Sequence, residues 1–216
     1  MENGVINTLD NEVLASLQAQ GFTSDILKKL VGLSKDKQTM ILEIINGQIA
    51  AKKEKAKGTE VILKLLNEDK TILITDCDGT KTLAKADDVF KWGIDSDFKW
   101  WGLDVPGNAT PEINVSVFEI QKDATFKRMF GSLSEDFDSY CLTQHQIREF
   151  CLNKGSREWL RQDGYATLFP FKVNDERFVA YVDVDDVGTL RVIVRRFEYD
   201  RVWDAGRRDR VVVQQL

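Results

Sequence analysis

A chain of 216 residues with 43 % apolar and 30 % charged residues has an ordinary globular composition, and its length suits one sizeable core plus a small satellite, without a metal or disulfide staple. Its three cysteines, Cys77, Cys141 and Cys151, lack a C-x-x-C spacing, which points to reduced thiols in the cytoplasm. The opening MENGVINTLDNE has neither the basic flank nor the apolar run of a signal peptide, and no stretch approaches the roughly 20 apolar residues of a membrane span, so a cytoplasmic chain without membrane association is expected.

The net charge of −5 is unevenly spread. Residues 68–141 carry 15 acids against 8 basic residues, a balance that repels a nucleic-acid backbone, whereas all 12 arginines lie from Arg128 onward.

In chain order, Thr8 or Asp10 caps a first helix whose Leu9, Val13 and Leu17 recur at helical spacing before Gly21. A second, short helix carries Ile26, Leu27, Leu30 and Val31. A third, capped by Ser34, carries Met40, Ile41, Ile44, Ile45 and Ile49. The lysine-rich stretch 52–58 reads as a solvated helical linker, because Glu54 interrupts it and no aromatic accompanies it. Thr59 starts another turn of helix with Val61, Ile62, Leu65 and Leu66. Residues 1–67 are therefore expected to form a helical segment and residues 68–216 a separate domain.

From Thr71 the period becomes extended. TILIT reads as a strand, DCDG as a turn and TKTLAKA as the returning strand of a hairpin. An acidic, aromatic stretch follows at 89–105, with Phe90, Trp92, Phe98, Trp100 and Trp101 as core or loop anchors or, if exposed, a protein-binding surface. Asn114 to Ile120 reads as a strand. Thr143 and Gln146 form a capping box for a helix over 142–152, with Gly155 ending it and Ser156 capping a further turn.

The tail has the clearest pattern. GYATLFPFKV, RFVAYVDV and TLRVIVRRF alternate with period two across short turns, and RVVVQ adds one more strand. Strands joined so closely are antiparallel, with one face on a core, and Pro170 marks an edge position or a bulge. The expected fold class is α+β: a small N-terminal helical segment, then a mixed domain with an antiparallel β-sheet built from hairpins.

Three sets of residues suggest chemistry. ILITDCDGT, residues 72–80, resembles the first motif of haloacid dehalogenase-type phosphatases, an apolar strand followed by D-x-D-G-T. That resemblance implies a magnesium-dependent phosphoryl transfer with Asp76 as nucleophile and Asp78 as acid and base. The residues themselves also read as an Asp-Gly hairpin turn, and the later acids Asp183, Asp185 and Asp186 run through Gly188 into another strand, where such a site needs a crossover. Cys141, His145 and Cys151 match no zinc spacing, leaving a surface histidine and buried or half-buried thiols, so no metal or other cofactor is expected. Arg195, Arg196, Arg201, Arg207, Arg208 and Arg210 form a basic cluster that suggests a nucleic-acid surface, but Glu198, Asp200, Asp204 and Asp209 among them make internal ion pairing the simpler account.

Two further resemblances bear on function. Residues 9–46, with Gly21 and Phe22 at the first junction, look like ubiquitin-associated-type three-helix modules, which bind partner proteins. Residues 72–216 look like a group of uncharacterised bacterial proteins, through DCDG, IDSDFKWWGLDVPG, VFEIQKDATFKRMFGSL, CLTQHQIREF, REWLRQDGYATLFPFKV and VWDAGRRDRVVVQQL; this implies a family but no activity. The leading expectation is a non-catalytic protein-interaction or regulatory protein that docks a partner, or a second copy, through its N-terminal helices. The candidate binding residues are Trp92, Trp100, Trp101, Arg195, Arg196, Arg207 and Arg208.

Overall fold

The computed structural model describes residues 61–215; the expected N-terminal helices, the 52–58 linker and the ubiquitin-associated-like segment lie outside the described residues. In chain order the elements are β1 (Leu63–Leu65), β2 (Ile72–Ile74), β3 (Gly93–Ile94), α1 (Asp97–Trp100), β4 (Ile113–Ile120), α2 (Phe126–Gly131), α3 (Gln144–Leu152), α4 (Lys154–Arg157), β5 (Ala166–Val173), β6 (Glu176–Val184), β7 (Leu190–Arg196) and β8 (Arg210–Gln214). The strands make one eight-stranded sheet in the order β1-β4-β8-β5-β6-β7-β3, with β2 also paired to β4. The domain is α+β.

The meander β5-β6-β7 is antiparallel, with Phe169 opposite Ala180 and Val182 opposite Val192. The sheet as a whole is mixed, because β8 returns parallel to β5 and β3 parallel to β7. Short turns dictate antiparallel neighbours, but nothing local dictates the direction of a strand that arrives after a long excursion.

β1 and β2 occupy successive parts of one edge of β4, Leu63–Leu65 facing Ile120–Phe118 and Ile72–Ile74 facing Val115–Ile113. Asn67 fills the break between them: its side chain accepts from Val117 N at 2.8 Å and donates to Val115 O at 3.1 Å. The expected turn of helix from Thr59 to Leu66 is thus replaced by a strand in its second half, since Ile62 is buried and Lys64 exposed and the β4 edge supplies the ladder. The expected hairpin over residues 71–86 does not form either. β2 pairs with β4, and the returning segment makes a 3-10 turn at Leu83–Lys85, where Leu83, Ala84 and Ala86 are all buried, a pattern that no half-buried strand provides.

Two cores flank the sheet. One contains Ile72, Ile74, Val115, Phe169, Phe171, Val182, Val192 and Val212, under residues 83–103, α3 and α4. The other contains Ile120, Phe126, Phe130, Tyr140, Leu168, Val179, Trp203 and Val211. β5 is therefore covered on both faces, with only Lys172 not buried and Thr167 sealed while its hydroxyl accepts from Arg161 N at 2.7 Å, whereas β7 keeps the expected alternation, Leu190, Val192 and Val194 buried and Arg191, Ile193 and Arg195 only half-buried. Pro170 lies in an inner strand in unbroken register opposite Val179, at neither the edge nor the bulge expected of it. Its carbonyl accepts from Leu142 N at 3.0 Å on the side away from β6, beyond Leu168 where the β5-β8 ladder has ended, so its missing N–H interrupts no sheet bond.

Beyond the two-residue β3, the outer edge of β7 is closed by Asp95. Asp95 N donates to Val192 O at 2.9 Å, and its carboxylate takes Arg195 at 3.1 Å and Val194 N at 3.4 Å. An inward-turned charge at a sheet margin discourages pairing with a further strand.

Candidate functional site

The capping box at Thr143 and Gln146 forms as expected, Thr143 N donating to Gln146 Oε1 at 2.8 Å and Gln146 N to Thr143 Oγ1 at 3.2 Å. α3 then stops at Leu152, and Asn153, not Ser156, caps α4 through Gly155 N at 2.9 Å. Ser156 instead donates to Phe150 O at 2.7 Å and is buried.

This cap orients the next side chains toward two loops. Gln144 accepts from Leu83 N at 3.1 Å and donates to Leu103 O at 2.9 Å. Gln146 donates to Thr110 Oγ1 at 3.1 Å. His145, between them, is only 8 % exposed, which overturns the surface assignment. Its Nδ1 accepts from Gly79 N at 3.2 Å and lies 3.2 Å from Asp78 Oδ1, while Nε2 lies 3.6 Å from Glu149 Oε1. With an N–H aimed at Nδ1, the neutral ring carries its proton on Nε2.

The DCDG loop is held from all sides. Cys77 exchanges backbone hydrogen bonds with Thr110 at 2.9 and 2.8 Å, and Gly79 O accepts from Gly107 N at 2.9 Å. Gly79 has φ +80°, and a Cβ there would lie 2.4 Å from Asn108 O, so both conformation and space require glycine. Asp78 Oδ1 accepts from Thr80 N at 2.9 Å and Thr80 Oγ1 at 2.7 Å, an Asx turn. These Thr80 bonds, hydroxyl first, hold the Asp78 carboxyl below the usual carboxylate range. Both Asp76 and Asp78 are exposed. Though exposed, Asp78 is therefore committed to Thr80 and faces His145.

The loop leads into an isolated bridge with Thr110 after a strand whose partner is antiparallel. Asp183 is buried on β6 against Arg191 at 2.6 Å, and Asp185 accepts from Val187 N and Thr189 N as a turn former. Among the described residues no group of three His, Cys, Asp or Glu side chains is placed to share a metal ion. The thiols are free: Cys77 and Cys151 are buried and Cys141 is half-buried. Burial drives all three thiols up, with Glu149 adding to the effect at Cys77 and Asp138 at Cys141, so none is an activated nucleophile.

Beside the loop lies a cleft of 190 Å³ lined by Gly79, Val105, Gly107, Cys141, Thr143 and His145. Lys172 and Asp138, paired at 2.8 Å, also line it.

The aromatic and arginine candidates separate onto two sheet faces. Trp92, 43 % exposed, lies under the Arg191 guanidinium at 4.3 Å, and Arg195 sits near Tyr181 and Tyr199 while pairing with Asp95 and with Asp97 at 3.6 Å. Arg196 points to the opposite face, over Trp101 at 5.2 Å and Phe178 at 5.5 Å, and pairs with Glu176. Trp100 is 79 % exposed at the end of α1. Arg207 and Arg208 lie in the turn before β8, with two strands between β8 and β7. Of the clustered arginines, Arg195 and Arg196 form ion pairs, but with Asp95 and Asp97 from the β3-α1 segment and Glu176 of β6, which corrects the expected pairing with the tail acids Glu198, Asp200, Asp204 and Asp209.

Sequence patterning gives no sign of the roles of Gln144 and Asp95, and it places at the surface the His145 that the fold buries. The capping box was the usable signal, for it places a polar Q-H-Q in the first helical turn between the apolar Leu142 and Ile147. Comparison of the chain with family models, with curated proteins and with solved structures gave no match.

Proposed function

We propose that this is a non-catalytic protein-interaction protein whose described unit binds its partner through the sheet face bearing Trp92, Arg191, Tyr181, Arg195 and Tyr199. The supporting observation is the fixed arginine-aromatic layering at the β7 margin: Asp183 holds Arg191 at 2.6 Å and Asp95 holds Arg195 at 3.1 Å, so both guanidinium groups lie beside half-exposed rings. Trp, Tyr and Arg are the residues that most often anchor interfaces, and pre-ordered side chains lose little entropy on binding. Docking or self-association through the N-terminal segment belongs to the same reading.

The DCDG loop supports this reading over phosphoryl transfer, because the Asp78 carboxylate serves Thr80, and the backbone of Cys77 and Gly79 serves Thr110, Gly107 and His145. Two measurements test it. Trp92→Ala combined with Tyr199→Ala is expected to abolish the interactions made by the full-length protein, while tryptophan-monitored stability changes by less than about 1 kcal/mol; retention of every interaction would count against the surface. Hydrolysis of a generic phosphate ester with magnesium is expected to be negligible and equal for the wild type and Asp76→Asn. A magnesium-dependent rate lost in that variant would install the phosphatase reading instead.

A further inference from the structure

The chain has one histidine, and it is buried at the junction of two loops and a helix. Its Nδ1 faces two groups with opposite requirements. The Gly79 N–H, at 3.2 Å, needs an acceptor there; the Asp78 carboxylate, also at 3.2 Å, is best served by a donor. Neutral imidazole satisfies the first, and imidazolium can satisfy only the second.

The groups facing the ring are all identifiable. Asp78 approaches Nδ1 from the DCDG loop, and Glu149 lies by Nε2 one turn along α3. Arg148 ties that glutamate to Asp88, and the Cys77 thiol lies within the influence of Glu149, Asp76 and Asp78. Cys141 and the Lys172–Asp138 pair line the same cleft as the ring.

We infer that His145 is a proton-operated latch: the neutral ring fastens the DCDG loop to α3 through Gly79, and protonation releases that fastening and shifts the wall of the adjacent cleft. A proton taken from solvent onto Nδ1 makes a charged hydrogen bond to Asp78 Oδ1, and Nε2 keeps its proton toward Glu149. The Gly79 N–H then faces another N–H, and an unpaired buried donor is costly enough to move backbone. Gly79 has little freedom on its other side, where its carbonyl is bonded to Gly107 and the Asn108 carbonyl fills the space a side chain would take. The release is therefore taken up by rotation of residues 78–80, and Gly79 and Gly107 both line the cleft.

The single histidine makes the test unambiguous. In a pH titration of the ¹⁵N-labelled full-length protein, the ring nitrogens are expected to show the Nε2–H tautomer at high pH. The Gly79 amide resonance is expected to move with the same midpoint as the ring, accompanied by Val105 and Gly107. Asp78→Asn removes the anionic acceptor and is expected to shift that midpoint to lower pH. His145→Asn retains an acceptor oxygen near the Nδ1 position, and is expected to hold the Gly79 amide at its high-pH position throughout. A Gly79 amide that ignores the His145 titration, an Nδ1–H tautomer at high pH, or an unchanged midpoint in Asp78→Asn would each overturn the latch.

Discussion

Asp209 shows how far one side chain depends on its surroundings. It is 1 % exposed; one carboxylate oxygen accepts from Ala166 N at 2.8 Å, and the other has no hydrogen-bond partner. Burial raises its pKa above the ordinary value, with the Ala166 bond and Arg207 opposing and Asp183 adding to the rise. A raised folded value means that its contribution to stability is complete below the unfolded carboxyl range and is lost as pH rises through the folded value. Asp209→Asn keeps an acceptor for Ala166 N and removes the buried charge. The variant is expected to be more stable than the wild type by about 1 kcal/mol near neutral pH, with the gain disappearing below about pH 4. Thermal melts across that range check the sign; a destabilised variant at neutral pH would mean that Arg207 and Arg161 outweigh burial.

At the scale of the element, α3 acts as a clasp more than as a packing helix. Its buried Gln144 bridges Leu83 N and Leu103 O, which are 20 residues apart in sequence and belong to two different loops. Gln144→Ala strands both buried backbone groups and is expected to cost about 2–3 kcal/mol in urea denaturation. Thr143→Ala removes only the cap and is expected to cost about 1 kcal/mol. Equal costs would show that the loops find other partners. The cap was readable from Thr143 and Gln146 because capping is local. The targets of Gln144 and His145 were not, because they arrive from some 40 to 66 residues away. The same distinction explains why β5, β6 and β7 were placed with their turns, while the partner of β2 was assigned to its chain neighbour.

For the whole described unit, the sheet is a shared wall between two cores, and neither core can lose its packing without exposing the other side of the same strands. Phe171 lies in one and Phe126 in the other, both fully buried. Phe171→Ala and Phe126→Ala are each expected to cost about 3–5 kcal/mol. All five tryptophans fall between Trp92 and Trp203, so their fluorescence reports on this unit within the full-length chain. Both variants are expected to unfold in one transition at a lowered midpoint, since Trp203 belongs to one core and Trp101 packs against the other. Two separated fluorescence transitions would mean that the cores are independent.

Local order determined what the sequence could disclose: the period-two strands from Ala166 to Arg196, the strand ending at Ile120, the Thr143 cap, and an α+β composition. No helix among the described residues is long and apolar enough to cross a membrane, in keeping with the lack of an apolar run. Tertiary structure alone decided the strand order, the parallel returns of β8 and β3, and the burial of both faces of β5. It also decided the use of Asp76 to Thr80 as a fastened loop in place of a hairpin turn. Periodicity tells a strand which side chains share a face, but which chain segment lies across each edge depends on contacts between residues far apart, and those exist only once the sheet has closed around its two cores.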